Sequence, residues 1–233
     1  MSLPKIKHPL MDVVVPSTNK SVRLRPMLVK EEKILLIAKQ SGDSADILKA
    51  MYQIVNNCLQ DVDLSTLTTF DLELLYLRLR AFSVNNVVKQ SYRDEEDDKI
   101  YNIEVNLDDV KMEKPEKTLP VVQVNDDLTI AMAYPKASLY ADDNFLLHPE
   151  EFESNLARAC IGNVYQGDKA VDIKNVSVAE FTEFVDELPI NAFNKIKEFT
   201  KGLPAFTHTI EYTNSKGTVR TIKLQSVVDF FIF

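Results

Sequence analysis

The residues of this sequence that could carry out acid–base or metal chemistry are few and widely spaced. The three histidines are His8, His148 and His208, and no pair of them brackets a glutamate at the helical spacing of a zinc protease. His208 precedes a predicted strand, and no base or nucleophile lies near it in the sequence. The chain has only 5 glycines, no Gly-rich phosphate loop and no Gly-x-Ser-x-Gly elbow. These patterns predict no catalytic centre, so we expect that the protein is not an enzyme.

Two acidic clusters, Asp94–Asp98 and Asp126–Asp127, are the remaining candidates for cation binding. Neither has the alternating ligands and the final glutamate of a calcium loop. Their spacing favours solvated loops, and we expect no metal and no other cofactor. Cys58 and Cys160 lie beside apolar residues in helical patterns, which favours two buried free thiols over a disulfide.

Composition and charge argue against a general nucleic-acid binder. Of the 233 residues, 45% are hydrophobic, which is enough for a core. The net charge is −8, whereas binding to a nucleic-acid backbone relies on Lys and Arg. Residues 1–40 hold 8 Lys and Arg against 3 Asp and Glu, a net of +5, and the remainder holds 19 against 32, a net of −13. The basic start is either a feature that a partner recognises or a solvated surface.

Targeting signals are not apparent in the sequence. The first residues lack the apolar region of a signal peptide, and no apolar run approaches the ~20 residues that span a membrane. We therefore expect a protein without a membrane span that is made and used inside a cell.

The elements that would position these residues begin with a hairpin and three helices. Met11 to Val15 and Val22 to Arg25 are β-rich runs around a turn-like segment. Helices are predicted over Lys30 to Gln40, Ser44 to Gln60 and Thr69 to Phe82. The first is apolar almost all round, so we expect it to be buried on most sides. One face of the second carries Ile47, Met51, Ile54, Val55 and Cys58.

The middle of the chain favours strands, and the last third returns to helices. The predicted strands are Val87 to Tyr92, Ile100 to Leu107, Leu119 to Val124 and Leu128 to Ala133. Further helices are predicted over Pro149 to Val164, after the capping box that begins at Ser177, and after Pro189. A hairpin, Thr207 to Thr213 and Thr218 to Leu224, precedes an apolar tail.

The predicted fold class is therefore α+β, with an N-terminal β-hairpin, a helical core of about six helices and two further β-hairpins. We divide the chain into residues 1–86, 87–134, 135–206 and 207–233, which form one compact domain with a β subdomain. Two interpretations of the tail are open. In the first, Leu224 to Phe231 folds back as a short helix with Phe230 and Phe231 in the core; in the second, Ile232 and Phe233 project and dock into a partner. Both can hold, with Phe230 facing inward and Phe233 outward.

A series of segments in fixed order resembles one protein family. The segments are Leu3–Ile6, Val15–Thr18, Val22–Pro26, Leu28–Leu36, Thr69–Glu73, Leu77–Ala81, Val164–Asp168 and Val228–Phe231. Together they resemble the baseplate hub assembly family of T-even-type contractile-tailed bacteriophages. The resemblance implies a viral protein made in the host bacterial cytoplasm. It also implies a hub subunit of the virion tail or an assembly factor, with other hub proteins as partners.

The chain departs from this family at one point. Many members carry cysteine pairs in the middle hairpin and in the C-terminal hairpin, like a zinc ribbon. The matching stretches here, Tyr92 to Tyr101 and Tyr212 to Thr221, contain no cysteine. Structural zinc needs about four thiolate or imidazole ligands. We therefore expect a zinc ribbon that has lost its metal ligands, with the two hairpins paired by packing alone.

The sequence thus favours a phage tail baseplate hub assembly protein that acts by protein–protein binding and binds no nucleic acid. The candidate partner-binding residues are basic side chains near the N-terminus and apolar ones at the C-terminus: Lys5, Lys7, Arg23, Arg25, Ile232 and Phe233. The alternative is a degenerate zinc-ribbon nucleic-acid-binding module, against which the acidic body and the missing ligands count.

Overall fold

Seven α-helices and eleven β-strands alternate along the part of the chain that the computed structural model describes, residues 4, 6–146, 151–171, 173 and 176–230. The helices α1 to α7 are, in order, Val29–Ser41, Ser44–Cys58, Thr69–Ser83, Asp143–Leu146, Phe152–Ala159, Val178–Asp186 and Ile190–Lys201. The strands β1 to β11 are Met11–Val15, Lys20–Leu24, Val87–Arg93, Ile100–Asn106, Lys111–Met112, Val121–Gln123, Leu128–Met132, Ile161–Gln166, Lys169–Val171, Phe206–Thr213 and Val219–Leu224. Short 3₁₀ turns include Leu64–Thr66, Ala137–Ala141 and Val227–Phe230. All the helices but α4 have eight or more residues, and the predicted α+β class with about six helices is confirmed.

The predicted N-terminal hairpin is confirmed as the antiparallel pair β1–β2, in which Met11 lies opposite Leu24. Asn19 turns the chain with a φ of 55°, a left-handed conformation that asparagine adopts more readily than most residues. Because side chains alternate along a strand, one face of the hairpin is buried. That inner face consists of Val13, Val15, Val22 and Leu24.

Helices α2 and α3 form the centre of the larger hydrophobic core. The predicted face of α2, which includes Met51 and Cys58, is buried. Thr68 and Asp71 form a capping box at the start of α3. Asp71 also accepts a hydrogen bond from the backbone N–H of Ser17 at 3.0 Å, which ties the hairpin turn to this helix.

The prediction that α1 is buried on most sides is wrong. Leu35 and Ala38 are buried, but Leu36 is 51% exposed and Ile37 is 70% exposed. The apolar run from Ile34 to Ala38 exceeds one helical turn, so its side chains must point both toward the core and away from it. Only one side of α1 contacts the rest of the protein, and apolar side chains therefore remain on the other.

The largest sheet contains β6, β7, β8 and β9 in that order, with antiparallel pairing throughout. The prediction of a helix from Pro149 to Val164 is correct only for its middle part, because α5 ends at Ala159 and β8 follows; Pro149 lies outside the described residues. A short apolar run fits strand and helix equally well by periodicity, and pairing with β7 decides the outcome. A Cβ atom at Gly162 in β8 would lie 2.7 Å from the Cβ of Ala133, so this close approach needs glycine.

The β6–β9 sheet and α5 to α7 enclose a second, smaller core, whereas the other elements surround the larger one. The β7–β8 pair links residues of segments 87–134 and 135–206. Ser177 caps α6 by accepting the backbone N–H of Glu180 at 3.2 Å. At the end of the described chain Phe230 is fully buried in the larger core, as the first interpretation of the tail predicts, and Phe231 lies outside the described residues.

Candidate interaction surfaces

The basic residues near the N-terminus occupy different environments. Arg23 lies on the outer face of β2 and is about half exposed, at 52%, with its Nε and Nη2 atoms 2.5 and 2.8 Å from the carboxylate of Asp61. Lys7 is exposed. Lys5, Ile232 and Phe233 lie outside the described residues. Among the described candidates, Lys7 and Arg23 therefore have exposed side chains that a partner could contact.

Arg25, in contrast, belongs to a buried ion pair. Its side chain is 13% exposed, and its Nη2 atom donates to the fully buried carboxylate of Glu31 at 2.9 Å. It also donates to the backbone oxygens of Pro26 and Asn57, at 2.9 and 2.8 Å. Burial opposes ionisation of Glu31, but the hydrogen bonds from Arg25 and from the N–H of Leu28 lower the pKa of Glu31 below its ordinary value. Arg25 therefore holds β2 against the start of α1.

The exposed side of α1 borders a groove of about 340 Å³ between this helix, the end of α3 and β3. Apolar and basic side chains line it, among them Leu35, Leu36, Lys39, Arg80, Val88 and Phe230. The Nη1 atom of Arg80 is buried, and no described residue accepts a hydrogen bond from it. We call this groove, together with the exposed Val29, Leu36 and Ile37, the α1 face.

Two features of the α1 face suit a protein ligand. Leu36 is an exposed apolar side chain on the border of the groove, and Val29 and Ile37 are exposed elsewhere on the same helix; exposed apolar surface of this kind often marks an interaction site. In addition, β3 pairs with β4 alone among the described strands, so its other edge is open to an incoming chain beyond Val87, whose N–H donates to Asn85 Oδ1 at 3.1 Å.

The middle and C-terminal hairpins meet at a polar network, which we call the hairpin junction. Its carboxylates come from the β3–β4 turn, and their partners come mainly from the β10–β11 hairpin. The members are Asp94, Glu96, Asp97, Tyr101, Tyr212, Asn214, Ser215 and Arg220. Asp94 is buried and accepts from the Tyr212 hydroxyl at 2.8 Å, from Arg220 Nε at 3.1 Å and from Asn214 Nδ2 at 3.3 Å.

The other two carboxylates extend the junction to its rim. Asp97 accepts from the backbone N–H and the hydroxyl of Ser215, at 2.9 and 2.8 Å, and from the Tyr101 hydroxyl at 2.5 Å. Glu96 accepts from Asn214 Nδ2 at 2.8 Å and from Arg220 Nη2 at 3.2 Å. The rings of Tyr101 and Tyr212 lie against each other, with centroids 4.8 Å apart.

Hydrogen bonding keeps the junction carboxylates charged. Burial opposes ionisation of Asp94, but the hydrogen bonds from Tyr212, from the Glu96 backbone, from Asn214 and from Arg220 lower its pKa to about 2. For the same reason the pKa of Asp97 lies well below its usual range. A buried carboxylate in this state needs all of its donors, so the two hairpins stabilise each other.

Two sequence predictions are corrected by the junction. The acidic run Asp94–Asp98 is not simply a solvated loop, because Asp94 is buried and Asp97 is bonded across to the other hairpin. The predicted pairing of the two hairpins is confirmed, but hydrogen bonds and ion pairs hold them rather than packing alone. The acceptors and donors are 118 to 126 residues apart in the chain, so no local pattern could indicate the network.

The residues of the junction do not fit the zinc centre of a zinc ribbon. Such a centre needs four thiolate or imidazole ligands, and the junction offers carboxylates, two of which form ion pairs with Arg220. No group of three or more His, Cys, Asp or Glu side chains that could hold a metal occurs in the described ranges. Cys58 and Cys160 are buried free thiols, as predicted, and burial raises their pKa values to about 11 and about 12.

The fold is thus an α+β arrangement with an exposed apolar face on α1 and a polar junction between two hairpins. In comparisons with known protein families, residues 8–232 match the family described as T4 bacteriophage base plate protein. The chain belongs to this family and is a phage baseplate protein, which confirms the resemblance in the sequence. No curated protein and no solved structure gives a significant match. Within the described residues, no helix has the length and apolar character needed to cross a membrane.

Proposed function

We propose that this baseplate protein is a hub subunit or a hub assembly factor, and that it acts by binding other hub proteins while the virion is built. The observation that carries the proposal is the α1 face. It combines exposed apolar side chains, an open strand edge and a buried arginine nitrogen that has no partner among the described residues. A protein ligand satisfies all three at once. We place this activity in the host bacterial cytoplasm, and a hub subunit would then remain in the tail baseplate.

Binding, rather than catalysis, is the activity that we assign. The alternative of a nucleic-acid-binding module has little support, because the hairpins that would form it present three carboxylates at their junction and the chain has a net charge of −8.

The first test addresses the α1 face directly. The protein is co-expressed with each hub protein of the same phage, and complexes are isolated by size-exclusion chromatography. Replacing Leu36 and Ile37 with serine should abolish co-elution without lowering the melting temperature, because both side chains are exposed. The matched control replaces two exposed valines away from α1 with serine: Val121 on β6 and Val219 on β11. Co-elution that survives the α1 change would exclude this face.

The second test concerns the basic N-terminal residues, for which we propose a role in partner binding. Charge reversal at Lys7 and Arg23 should slow association and flatten its salt dependence, because charges at the rim of an interface act mainly on the rate of encounter. Arg25 is left intact, since its reversal would break the buried pair with Glu31. Reversal of Lys169 and Lys223, both exposed elsewhere, is the control. Unchanged association rates at low salt would exclude this role, and the basic residues would then be part of a solvated surface.

The third test concerns the C-terminal Ile232 and Phe233, which we propose to dock into a partner. A chain without these two residues should keep its melting temperature and lose affinity. A lower melting temperature would assign them to the core instead.

Mass spectrometry of purified particles, compared with infected-cell lysate, distinguishes the two proposed roles. A hub subunit is present in the particle, whereas an assembly factor is found in the lysate alone.

A further inference from the structure

A pocket of about 230 Å³, separate from the α1 face, opens between the two cores. It lies between α3, the 3₁₀ turn Ala137–Ala141, α5 and the end of α7. Its volume is below the ~300–1,000 Å³ that is usual for small-molecule sites. The pocket is therefore large enough for one side chain rather than for a whole cofactor.

The floor of this pocket carries a carboxylate that lacks a counter-ion. Glu73, half-buried on α3, accepts a hydrogen bond from the Tyr140 hydroxyl at 2.7 Å. No cationic group of the described residues lies within ion-pair distance of it. Lys201 also borders the pocket, but its Nζ atom is 2.6 Å from Glu198 and its side chain is 68% exposed. Burial raises the pKa of Glu73 to about 7; the bond from Tyr140 opposes this shift, and the nearby charge of Asp229 adds to it.

Aromatic rings form much of the wall around Glu73. Phe70, Tyr140, Phe145 and Phe152 all line the pocket, and the rings of Phe145 and Phe152 have centroids 4.9 Å apart. The face of an aromatic ring attracts a cation within about 6 Å. A positive group in this pocket would thus lie among aromatic side chains and close to one carboxylate.

We propose that this pocket binds a single arginine or lysine side chain presented by a protein partner. The Glu73 carboxylate and the aromatic walls both favour a cation and disfavour an anion. A divalent metal ion needs several oxygen ligands, and one carboxylate with a phenol does not supply them. The site is distinct from the α1 face, and the proposal does not depend on hub proteins as the partners.

Proton linkage gives the pocket a characteristic pH dependence. The cation binds the ionised form of Glu73, so protonation competes with it. With a pKa of about 7, the ionised fraction falls roughly tenfold between pH 8 and pH 6, and affinity should fall by about the same factor. Tyr140 stays protonated throughout, because burial raises its pKa well above 10. The other charged groups near Glu73 are Asp229, which lies outside the pocket, and Lys201, which lies at its rim.

The experiment uses N-acetyl-arginine methylamide as the probe and the citrulline analogue, which has the same shape and no charge, as its matched control. Binding is followed by NMR of the Phe and Tyr ring resonances. We expect saturable shifts with the arginine probe at pH 8, about tenfold weaker binding at pH 6, and no response to citrulline. Glu73→Gln keeps the acceptor for Tyr140 and should abolish binding. Glu95→Gln, which makes the same change of charge on an exposed loop, should not.

Several results would overturn the proposal. They are equal shifts with both probes, binding that survives Glu73→Gln, or no saturable shift with the arginine probe. A measured pKa of Glu73 near 4 would also overturn it, because the carboxylate would then be solvated rather than buried without a counter-ion. Phe152→Leu, which removes a ring but keeps an apolar side chain, should weaken binding even if Glu73→Gln proves unstable. None of these outcomes bears on the α1 face, so the two proposals fail independently.

Discussion

The ion pair between Arg25 and Glu31 yields the sharpest prediction about stability. Replacing Arg25 with glutamine would remove the closer cation from the fully buried Glu31 carboxylate and leave only the exposed Lys30, whose Nζ atom is 3.6 Å away. Breaking a buried pair by removing one member costs about 3–5 kcal/mol, because the remaining charge is uncompensated. In a domain of this size each kcal/mol corresponds to about 2–4 °C, so the melting temperature should fall by about 6–20 °C.

The pH dependence of this effect has a defined sign. The pKa of Glu31 is lower in the folded protein than in the unfolded chain, where it is about 4.3. Its contribution to stability is therefore complete above the unfolded-state pKa and is lost as the pH falls through the folded-state pKa. Arg25→Gln removes the largest of the interactions that lower the pKa of Glu31, so the variant should lose less stability between pH 6 and pH 3 than the parent protein.

The assay is thermal unfolding followed by circular dichroism, with Arg23→Gln as the control. Arg23 makes a shorter contact with Asp61, 2.5 Å against 2.9 Å for Arg25 and Glu31, but both side chains are exposed, so its replacement should have a much smaller effect. In the double variant Arg25→Gln with Glu31→Gln, part of the lost stability should return, because no unpaired charge remains. Equal losses for Arg23→Gln and Arg25→Gln would refute the distinction between a buried and an exposed pair.

Three further predictions follow from the core and the junction. Met51→Ala and Leu75→Ala should each reduce the free energy of unfolding by about 2–5 kcal/mol in denaturant titrations; a loss below about 1 kcal/mol at both would contradict their place in the core. Asp94→Asn should lower the melting temperature at neutral pH. The difference in melting temperature between the variant and the parent protein should shrink as the pH falls toward 2, because the stability contributed by a carboxylate with a lowered pKa is lost when that carboxylate is protonated. Elemental analysis of protein purified without chelator should find no stoichiometric zinc, and one zinc per chain would contradict our interpretation of the hairpin junction.

Local patterns were sufficient for much of the helical part of the fold. The apolar residues of α2 recur at steps of three and four, so only one orientation of the helix buries all of them. The N-terminal hairpin was predicted from two β-rich runs around a turn-like segment, and the structure pairs these runs. For α2 the periodicity of the sequence and the geometry of the element select the same residues for the core, whereas the run Val13 to Val15 did not indicate that Val14 would be exposed.

Local patterns failed where one segment fits two environments. The run from Ile34 to Ala38 is apolar all round, so it could not indicate which side of α1 faces the core. Residues Ile161 to Val164 fit a helix as well as a strand, and the neighbouring strand β7 determines the result. For this reason the sequence did not predict the α1 face. A helix with apolar residues on all sides cannot bury every one of them on a single contact side, and this is a signal that could have revealed the exposed face.

The sequence by itself determined the α+β class, the family, the two buried thiols, the core face of α2 and the presence of the N-terminal hairpin. These depend on composition, on the order of short segments and on local periodicity, all of which are properties of neighbours in the chain. Tertiary structure alone decided the hairpin junction, the burial of Arg25 and the aromatic pocket around Glu73. Each of these depends on side chains from separate segments meeting at hydrogen-bonding or van der Waals distance, and burial then decides whether a charge is solvated, paired or left to bind a partner.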